Sequence, residues 1–344
     1  MEKMTKKILV LRFGALGDLV HTTIIPQAIK QKYPDCEIHY CSESRYVEVL
    51  KNNPYIDKII EFNQKRRKEF SYMLETALQL RHEHYDVVFN LTNAFRNNLM
   101  AFIASPKVCV PKVEMGRKHV VEAFFLSAKK VFPELTLPEN LVLGLDKDAE
   151  IKIEDELKEF PRPFVILSPG GETDSNRQGR TWSAKSWIEL ANILKTIYDC
   201  TIFISGSPDE KEYHSKIAEQ IQGAVLYSGS LSIAQTMALI SKCDVFISGD
   251  SGPLHIASGL GVNAIGLYGS TNPKNVAPYG QKGFVVEPAM RCKYCWEKEC
   301  KRLKKKQQRH TPCMNSIKPE HVLKLIDKND LFGLKEVKLR FEKD

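Results

Sequence analysis

The chain has 344 residues, more than the roughly 250–300 that a single hydrophobic core usually serves, so two domains are expected. Its formal charge of +8 suits anionic partners in general, including phosphates, acidic lipids and nucleic acid. No apolar stretch approaches the ~18–20 residues of a membrane span, and the N-terminus lacks the apolar region and cleavage site of a secretory signal. We therefore expect a cytoplasmic protein that touches a membrane only at its surface.

The N-terminal half alternates apolar runs with amphipathic segments, which predicts an α/β, doubly wound parallel sheet. The predicted strands cover residues 7–12, 37–41, 58–62 and 86–91. The predicted helices cover residues 18–32, 45–50 and 70–81. A proline-rich stretch that ends at Pro161 and Pro163 cannot continue a helix or a central strand, so we place the linker there and predict a first domain over residues 1–160.

The second half repeats this pattern and predicts a second Rossmann-like domain over residues 161–318. Its strands are predicted at residues 164–167, 201–204, 224–227, 244–248 and 264–268. Its helices are predicted at residues 183–198, 208–221, 233–242 and 252–258. A cysteine-rich insertion occupies residues 290–315, and residues 319–344 form a helical tail that we expect to pack across the domain junction.

Two strand–glycine–helix turns contain the residues that could take part in catalysis or ligand binding. The first runs from Ile8 through Gly14 to Asp18, and the second runs from Asp244 through Gly249. Glycine lets the backbone enter the helix sharply, and the free N–H groups at a helix start hold anions. Neither turn has the full G-x-G-x-x-G spacing, which disfavours an NAD enzyme. Two such turns indicate an enzyme that joins two molecules, one of which carries phosphates.

Several sequence blocks together resemble glycosyltransferase family 9, which contains the ADP-heptose:lipopolysaccharide heptosyltransferases. The blocks are residues 11–22, 168–171, 180–182, 206–208, 249–257 and 268–273. The resemblance implies a GT-B fold, with an N-terminal acceptor domain and a C-terminal nucleotide-sugar domain, both Rossmann-like, facing across a cleft. It also implies an inverting transfer of heptose from ADP-heptose to the lipopolysaccharide inner core, without a catalytic metal.

The resemblance assigns roles to residues of both domains. Asp18 occupies the position of the family's general base, which takes the proton of the acceptor hydroxyl; the alternative is that Asp18 caps its helix. The acceptor side is expected to include Arg12, Gly17, Arg96 and Asn97. The donor side is expected to include Arg180, Thr181, Glu210, Asp250, Ser251, Gly252 and His255.

Three donor candidates keep a second interpretation. Arg180 stands where family members commonly have lysine, so it binds the diphosphate or is a solvated loop charge. Glu210 matches the acidic residue that binds the ribose hydroxyls, or it belongs to the acidic first turn of a helix. His255 lies beside the phosphate site or supports the loop as a buried histidine. Ser251 and Gly252 would offer N–H groups to the leaving diphosphate.

The nine cysteines fall into two groups. Single cysteines in or beside apolar segments are predicted to be reduced core residues: Cys36, Cys41, Cys109, Cys200 and Cys243. A C-terminal cluster comprises Cys292, Cys295, Cys300 and Cys313. This cluster could bind a structural zinc ion, remain as reduced thiols or form disulfides. The expected cytoplasmic location argues against disulfides. No cofactor is expected for catalysis.

Two basic segments of the sequence could contact an anionic partner. Residues 64–68 either form a solvated face or contact the phosphorylated lipid A region or the anionic leaflet at the cytoplasmic face of the inner membrane. Residues 301–306, beside the cysteines, suggest a nucleic-acid-binding protein, but the segment lacks paired histidines and stacking aromatics, so we expect no nucleic-acid partner. A nucleotide-sugar epimerase of related fold is a further alternative, although the converging acids and histidine that it needs are not located. We expect a monomer.

Overall fold

The computed structural model describes residues 6–92, 94–114, 116–171, 180–297, 300–302 and 311–333. The chain divides into two compact units, Met1–Asp146 and Lys147–Asp344. This division falls earlier than the predicted boundary at residue 160. The reason is a helix over Lys147–Leu157 that packs against the helix Ile233–Lys242 of the second unit, where Lys242 Nζ lies 3.7 Å from Glu150 Oε1.

The first unit is built on a five-stranded parallel sheet of order β3-β2-β1-β4-β5. The strands are β1 (Lys7–Leu11), β2 (Glu37–Glu43), β3 (Lys58–Phe62), β4 (Val87–Asn90) and β5 (Val108–Pro111). The helices are α1 (Leu16–Thr22), α2 (Ile24–Lys32), α3 (Phe70–His82), α4 (Phe95–Ile103) and α5 (Val120–Lys129). Short 3₁₀ turns cover Ser44–Val49 and Gln64–Arg66.

The predicted helix over residues 18–32 is in fact two helices that meet at Thr23. Pro26 explains the break, because proline has no N–H to donate to the carbonyl of the residue four positions earlier. Two helices and one strand of this unit, α4, α5 and β5, were not predicted. The strand β5 lies at the sheet edge, and Cys109 within it is exposed, so the prediction of a core cysteine is wrong at this position.

The second unit contains a six-stranded parallel sheet of order β11-β10-β9-β6-β7-β8. Its strands are β6 (Phe164–Ser168), β7 (Thr201–Ile204), β8 (Val225–Leu226), β9 (Val245–Gly249), β10 (Asn263–Leu267) and β11 (Gly283–Val286). Its helices are α6 (Lys147–Leu157), α7 (Ala184–Tyr198), α8 (Lys211–Ala218), α9 (Ile233–Lys242), α10 (Gly252–Gly259), α11 (Pro273–Val276), α12 (Pro312–Ser316) and α13 (Pro319–Asn329). The two central strands β6 and β9 are buried throughout, as expected of parallel strands covered on both faces.

The C-terminal helix α13 packs against α7 and β11. Val322 and Ile326 are buried in the core of the second unit, and Tyr198 donates a hydrogen bond to Asp327 Oδ1 at 2.5 Å. Residues 334–344 of the predicted tail lie outside the described residues. In the part of the chain that is described, no helix has both the length and the apolar character required to cross a bilayer.

Candidate active site

The first glycine turn places an ion pair at the carboxyl end of β1. Gly14 adopts a φ of 116°, a region that residues with a side chain rarely occupy, so glycine permits the turn into α1. Ala15 is the N-cap of α1, and Asp18 lies within its first turn. There the Asp18 carboxylate accepts a hydrogen bond from the Arg12 guanidinium. Asp18 therefore contacts a cation and does not cap the helix.

Arg12 holds the Asp18 carboxylate from a buried position. The Arg12 side chain is 9% exposed, whereas that of Asp18 is 38% exposed. Arg12 Nη1 also donates to the backbone carbonyl of Leu91 at 2.5 Å, which ties the guanidinium to the end of the neighbouring strand β4. The arrangement orients an accessible carboxylate, as a general base requires.

A second cation near this pair, Lys112, was missed by the sequence analysis. Lys112 Nζ lies 5.2 Å from the centre of the Phe124 ring, and Arg12 Cζ lies 5.7 Å from the same ring. Burial lowers the pKa of Lys112, and the charge of Arg12 lowers it further, while Asp18 acts in the opposite direction. Lys112 directly follows β5, so recognising that edge strand would have been the only route to it.

The other acceptor candidates occupy the same edge of the sheet. Gly17 lies in the first turn of α1, after β1, whereas Arg96 and Asn97 lie in the first turn of α4, after the neighbouring strand β4. Arg96 is exposed, and its Nη1 donates to the backbone carbonyl of Arg67 at 2.7 Å. The structure thus groups Arg12 and Gly17 near Asp18, while Arg96 contacts the basic segment.

A cavity of about 450 Å³ opens at the carboxyl ends of β6, β7 and β9 in the second unit. Five predicted donor residues line it: Arg180, Thr181, Glu210, Asp250 and Ser251. Gly252 follows Ser251 as the first residue of α10, and His255 contacts the lining residue Asp250. A cavity at the carboxyl ends of parallel strands is the usual ligand position in such sheets.

The cavity wall contains a buried charged network. Arg180 Nη2 lies 2.9 Å from Asp250 Oδ2, and His255 Nε2 lies 3.5 Å from Asp250 Oδ1. The Arg180 side chain is 30% exposed, but that of Asp250 is only 6% exposed. Burial by itself would raise the pKa of Asp250, but the hydrogen bond from His255 and the charge of Arg180 outweigh it and lower the pKa. Asp250 is therefore an anion that orients Arg180.

The backbone of Arg180 is held in place from two sides. A Cβ atom at position 249 would lie 2.5 Å from the Arg180 carbonyl oxygen, so glycine there permits the close approach of the two segments. Two residues further on, the buried Trp182 donates from Nε1 to the Ile317 carbonyl at 3.0 Å. Trp182 also packs edge-to-face on Trp187, with ring centres 5.0 Å apart. This packing fixes where the Arg180 side chain enters the cavity.

The helix α10 begins at the cavity. Ser251 is its N-cap, and Ser251 Oγ lies 2.8 Å from Ser248 Oγ at the end of β9. The first N–H groups of a helix have no partner within the helix and can bind an anion. Pro253 contributes no N–H, so Gly252 and Leu254 supply the donors of this first turn.

Glu210 has the helix-start role that the sequence suggested, while its binding of ribose hydroxyls stays a prediction. Its Oε2 accepts from the Ser207 N–H at 2.7 Å and from Ser207 Oγ at 2.9 Å. These two hydrogen bonds fix the start of the 3₁₀ turn Pro208–Glu210 that precedes α8. Glu210 and Asp209 also line the cavity. The carboxylate of Glu210 is thus a helix-start residue on the cavity wall.

His214 supports this wall and was also missed by the sequence analysis. It is fully buried, with Nδ1 2.6 Å from Ser228 Oγ and Nε2 2.9 Å from the Gly170 carbonyl, which can only accept. Nε2 therefore carries the proton, and burial lowers the pKa of His214. By holding Gly170, His214 shapes the loop after β6. A lone histidine within a helix gives no sequence signal for such a role.

The four clustered cysteines line one small cavity of about 20 Å³, together with Ser270 and Thr311. None of the four is in a disulfide, and Cys313 Sγ lies 3.0 Å from Thr311 Oγ1. Among the described residues, no group of three or more His, Cys, Asp or Glu side chains is arranged to hold a metal ion. Residues 303–306 of the basic segment beside them lie outside the described residues.

Comparison with known proteins identifies the family. The model of glycosyltransferase family 9 (heptosyltransferase) matches residues 73–306. The chain belongs to this family. Its sequence is 27% identical to the lipopolysaccharide core heptosyltransferase OpsX of Haemophilus influenzae, over 82% of this chain and 84% of that protein. It is 24% identical to lipooligosaccharide heptosyltransferase 2 of Campylobacter jejuni, over 91% of this chain and 96% of that protein.

Solved structures agree on the fold of this family 9 member. The family 9 glycosyltransferase of Veillonella parvula superimposes with a TM-score of 0.82 and 20% identity, covering 97% of this chain and 99% of that one. The ADP-heptose LPS heptosyltransferase II of E. coli superimposes with a TM-score of 0.75 and 20% identity, covering 96% of this chain and 99% of that one. The predicted family, the GT-B fold and the assignment as a glycosyltransferase are confirmed, and the epimerase and nucleic-acid alternatives are not favoured.

Proposed function

We propose that this protein is an inverting, metal-independent heptosyltransferase that moves heptose from ADP-heptose to the inner core of lipopolysaccharide. The observation that carries the proposal, beside family membership, is the composition of the cavity in the second unit. A cation at Arg180, a helix start at Ser251 and a carboxylate at Glu210 line the same cavity. Cations and N–H groups bind a diphosphate, and a carboxylate accepts hydrogen bonds from ribose hydroxyls.

The donor side would stabilise the departing nucleoside diphosphate. Negative charge grows on the diphosphate oxygen as its bond to the anomeric carbon breaks. Arg180, held by Asp250 at 2.9 Å, is already oriented before that charge develops, so little reorganisation is needed. The Gly252 and Leu254 N–H groups and the Ser251 hydroxyl would add neutral donors. Thr181, which is buried on the cavity wall, and His255, which contacts Asp250, complete this side.

The acceptor side would supply the base. The acceptor hydroxyl oxygen bonds to the anomeric carbon from the side opposite the diphosphate, which inverts the configuration at that carbon. The hydroxyl proton passes to the Asp18 carboxylate, and the electron pair of the broken bond leaves with ADP. Arg12 orients the base through the ion pair described above. Arg12 and Lys112 together favour an acceptor that carries a carboxylate or phosphate, with Gly17, Arg96 and Asn97 at the same sheet edge.

A structural zinc ion at the four cysteines is a separate proposal within this function. Its support is that all four cysteines line one small cavity, although among the described residues no three of them are arranged to hold an ion. Such an ion would hold residues 290–315 against the second unit, with no open position for chemistry. Metal analysis of the tag-free protein decides it: about one equivalent of zinc supports the site, and four titratable thiols without zinc exclude it.

We propose that the enzyme works at the cytoplasmic face of the inner membrane, because its acceptor is a lipid-linked saccharide. We also propose that it is a monomer.

The test is transfer by the purified protein from ADP-heptose to inner-core acceptors that end either in a sugar acid or in heptose. Mass spectrometry should show an acceptor heavier by one heptose unit, and NMR should show the inverted anomeric configuration. The same yield is expected in EDTA. Transfer only from a different nucleotide sugar would refute the donor assignment. Activity that is lost in EDTA and restored by Mg²⁺ would refute the proposal that Arg180 stabilises the leaving group without a metal.

A further inference from the structure

We propose that the first unit docks on an anionic lipid bilayer through an exposed surface on α3, α4 and the segment before α3. The aromatic–basic surface, as we call it, consists of Phe70, Phe95, Phe102, Arg67 and Lys68, and the acceptor candidate Arg96 borders it. The proposal rests on the proposed function, because an enzyme with a lipid-linked acceptor must work next to a bilayer. It adds the structural element that makes the contact and the chemistry of the partner.

The phenylalanines of the aromatic–basic surface are unusually exposed. Phe95 is 78% exposed, Phe102 is 79% exposed and Phe70 is 65% exposed. Phe95 and Phe102 are seven residues apart in α4, so they lie on the same face of that helix. The opposite face of α4 buries Met100 and Ala101 in the core of the first unit. Both the buried and the outward face of α4 therefore carry apolar side chains, and exposed apolar side chains of this size mark an interaction site.

The basic side chains lie directly beside these aromatic ones. Arg67 and Lys68 are exposed in the segment that leads into α3, where Phe70 is the first residue. Arg96 Nη1 donates to the Arg67 carbonyl at 2.7 Å, which joins that segment to the first turn of α4. α3 and α4 also pack against each other. Basic and apolar groups therefore form one continuous surface.

The charge of the surface favours an anionic partner. The α4 sequence contains no acidic residue. The nearby Glu69 pairs with Arg66 at 2.9 Å, so its charge is offset by a basic residue outside the set. Aromatic side chains that enter the headgroup region, combined with basic side chains that bind acidic lipids, are the requirements for peripheral binding to a bilayer.

The position of the surface also suits this partner. The segment with Arg67 follows β3, and α4 begins after β4, so both start at the carboxyl edge of the parallel sheet. Asp18 lies at that same edge, after β1. A bilayer bound at the aromatic–basic surface would therefore present a lipid-linked acceptor to the edge that holds the base.

The experiment measures partition of the full-length protein onto vesicles that contain no acceptor. Phosphatidylcholine vesicles with about 30% phosphatidylglycerol are compared with phosphatidylcholine alone in a flotation assay. We expect binding to the anionic vesicles that weakens with salt. Arg67→Gln with Lys68→Gln should lower the partition coefficient about 30-fold, since each basic residue near such a surface contributes about five-fold. Phe95→Ser with Phe102→Ser should lower it at least ~10-fold.

Matched controls change the same kinds of residue outside α3 and α4. Val108→Ser with Ile151→Ser removes two exposed apolar side chains, and Lys51→Gln with Lys185→Gln removes two exposed charges. Both should bind vesicles as the wild type does. All variants should keep the wild-type melting temperature and transfer heptose normally to a water-soluble acceptor oligosaccharide that lacks lipid A.

The outcomes separate this proposal from the proposed function. The bilayer assignment is overturned if the wild-type protein does not bind anionic vesicles, or if it binds only vesicles that contain acceptor lipid. Surface variants that bind as the wild type does also overturn it. Surface variants that lose transfer to the soluble oligosaccharide would place these residues in the acceptor site instead. Vesicle binding without any heptose transfer would refute the proposed function and leave the docking surface standing.

Discussion

At the residue scale, Asp18 is the predicted general base and Arg12 is the cation that orients it. We expect Asp18→Asn to lower kcat by at least ~100-fold, because loss of a general base typically costs that much or more. The amide is nearly isosteric, but it leaves the buried Arg12 guanidinium without its anion, so we expect a lower melting temperature and an unchanged ADP affinity. Single-turnover transfer assays at saturating donor and acceptor measure the effect.

The control for this variant is Asp148→Asn. Asp148 is also an acidic residue in the first turn of a helix, and it is exposed in α6. It reproduces the loss of a charge that favours a helix start but removes no proposed base. Near-normal turnover by Asp18→Asn would rule out its role as the base, and an equal loss in both variants would point to helix stability.

Lys112 should act on acceptor binding and not on the chemical step. We expect Lys112→Gln to raise the acceptor KM about 10-fold with little change in kcat or donor KM, because a hydrogen bond to a charged group contributes about 1.5–3 kcal/mol. Lys107→Gln is the matched control, since Lys107 precedes β5, pairs with Asp86 and is 81% exposed. An unchanged acceptor KM would remove Lys112 from the acceptor site.

At the scale of elements, the second glycine turn sets the geometry of the cavity in the second unit. Gly249→Ala should lower the melting temperature and weaken ADP binding at least ~10-fold, because the new Cβ would lie 2.5 Å from the Arg180 carbonyl and must displace it. Calorimetry of ADP binding by the folded fraction separates the two effects. Lower stability with unchanged ADP affinity would contradict the positioning of Arg180 by this turn.

Two edge strands, β5 and β11, show where sequence patterns fail. Central strands such as β6 and β9 are covered on both faces, so they appear in the sequence as continuous apolar runs and were predicted within one residue of their bounds. The strands β5 and β11 lie at sheet edges, where fewer side chains are buried and the apolar run is too weak to recognise. Missing β5 also meant missing Lys112 at its end.

At the scale of the whole molecule, two buried histidines make stability depend on pH. Burial lowers the pKa of His39 in the first unit and of His214 in the second. The unfolded chain, with histidine pKa values of about 6.5, then binds protons that the folded chain does not. The contribution of these two histidines to the free energy of unfolding is therefore fully present above about pH 6.5, and it is lost as the pH falls toward their pKa values in the folded chain.

We expect the midpoint of urea unfolding to fall between pH 7.5 and pH 5.5, and His214→Gln to reduce the size of that fall. The glutamine amide can replace both hydrogen bonds of His214 without titrating. His82→Gln is the control, because His82 is exposed in the last turn of α3. A midpoint that stays constant across this range, or a fall that His214→Gln leaves intact, would contradict the assignment.

The sequence alone predicted the family and the fold class, which are confirmed, and it picked out five residues that line the cavity of the second unit. Local patterns suffice for these, because buried parallel strands are apolar runs and glycine turns such as the one at Gly249 sit next to the residues that they position. The tertiary structure decided the partners of those residues. Arg12 with Asp18, Arg180 with Asp250, and His214 with Gly170 are pairs that depend on how strand ends are brought together.

The aromatic–basic surface likewise exists only in the folded chain. Phe95 and Phe102 have the spacing of a helix face, but the sequence does not say whether that face is inward or outward. Packing of α4 on α3 and on the sheet core buries Met100 and leaves the phenylalanines exposed. Which side of an amphipathic helix meets the core is a property of the whole sheet, since the helix is covered only where a neighbouring element reaches it.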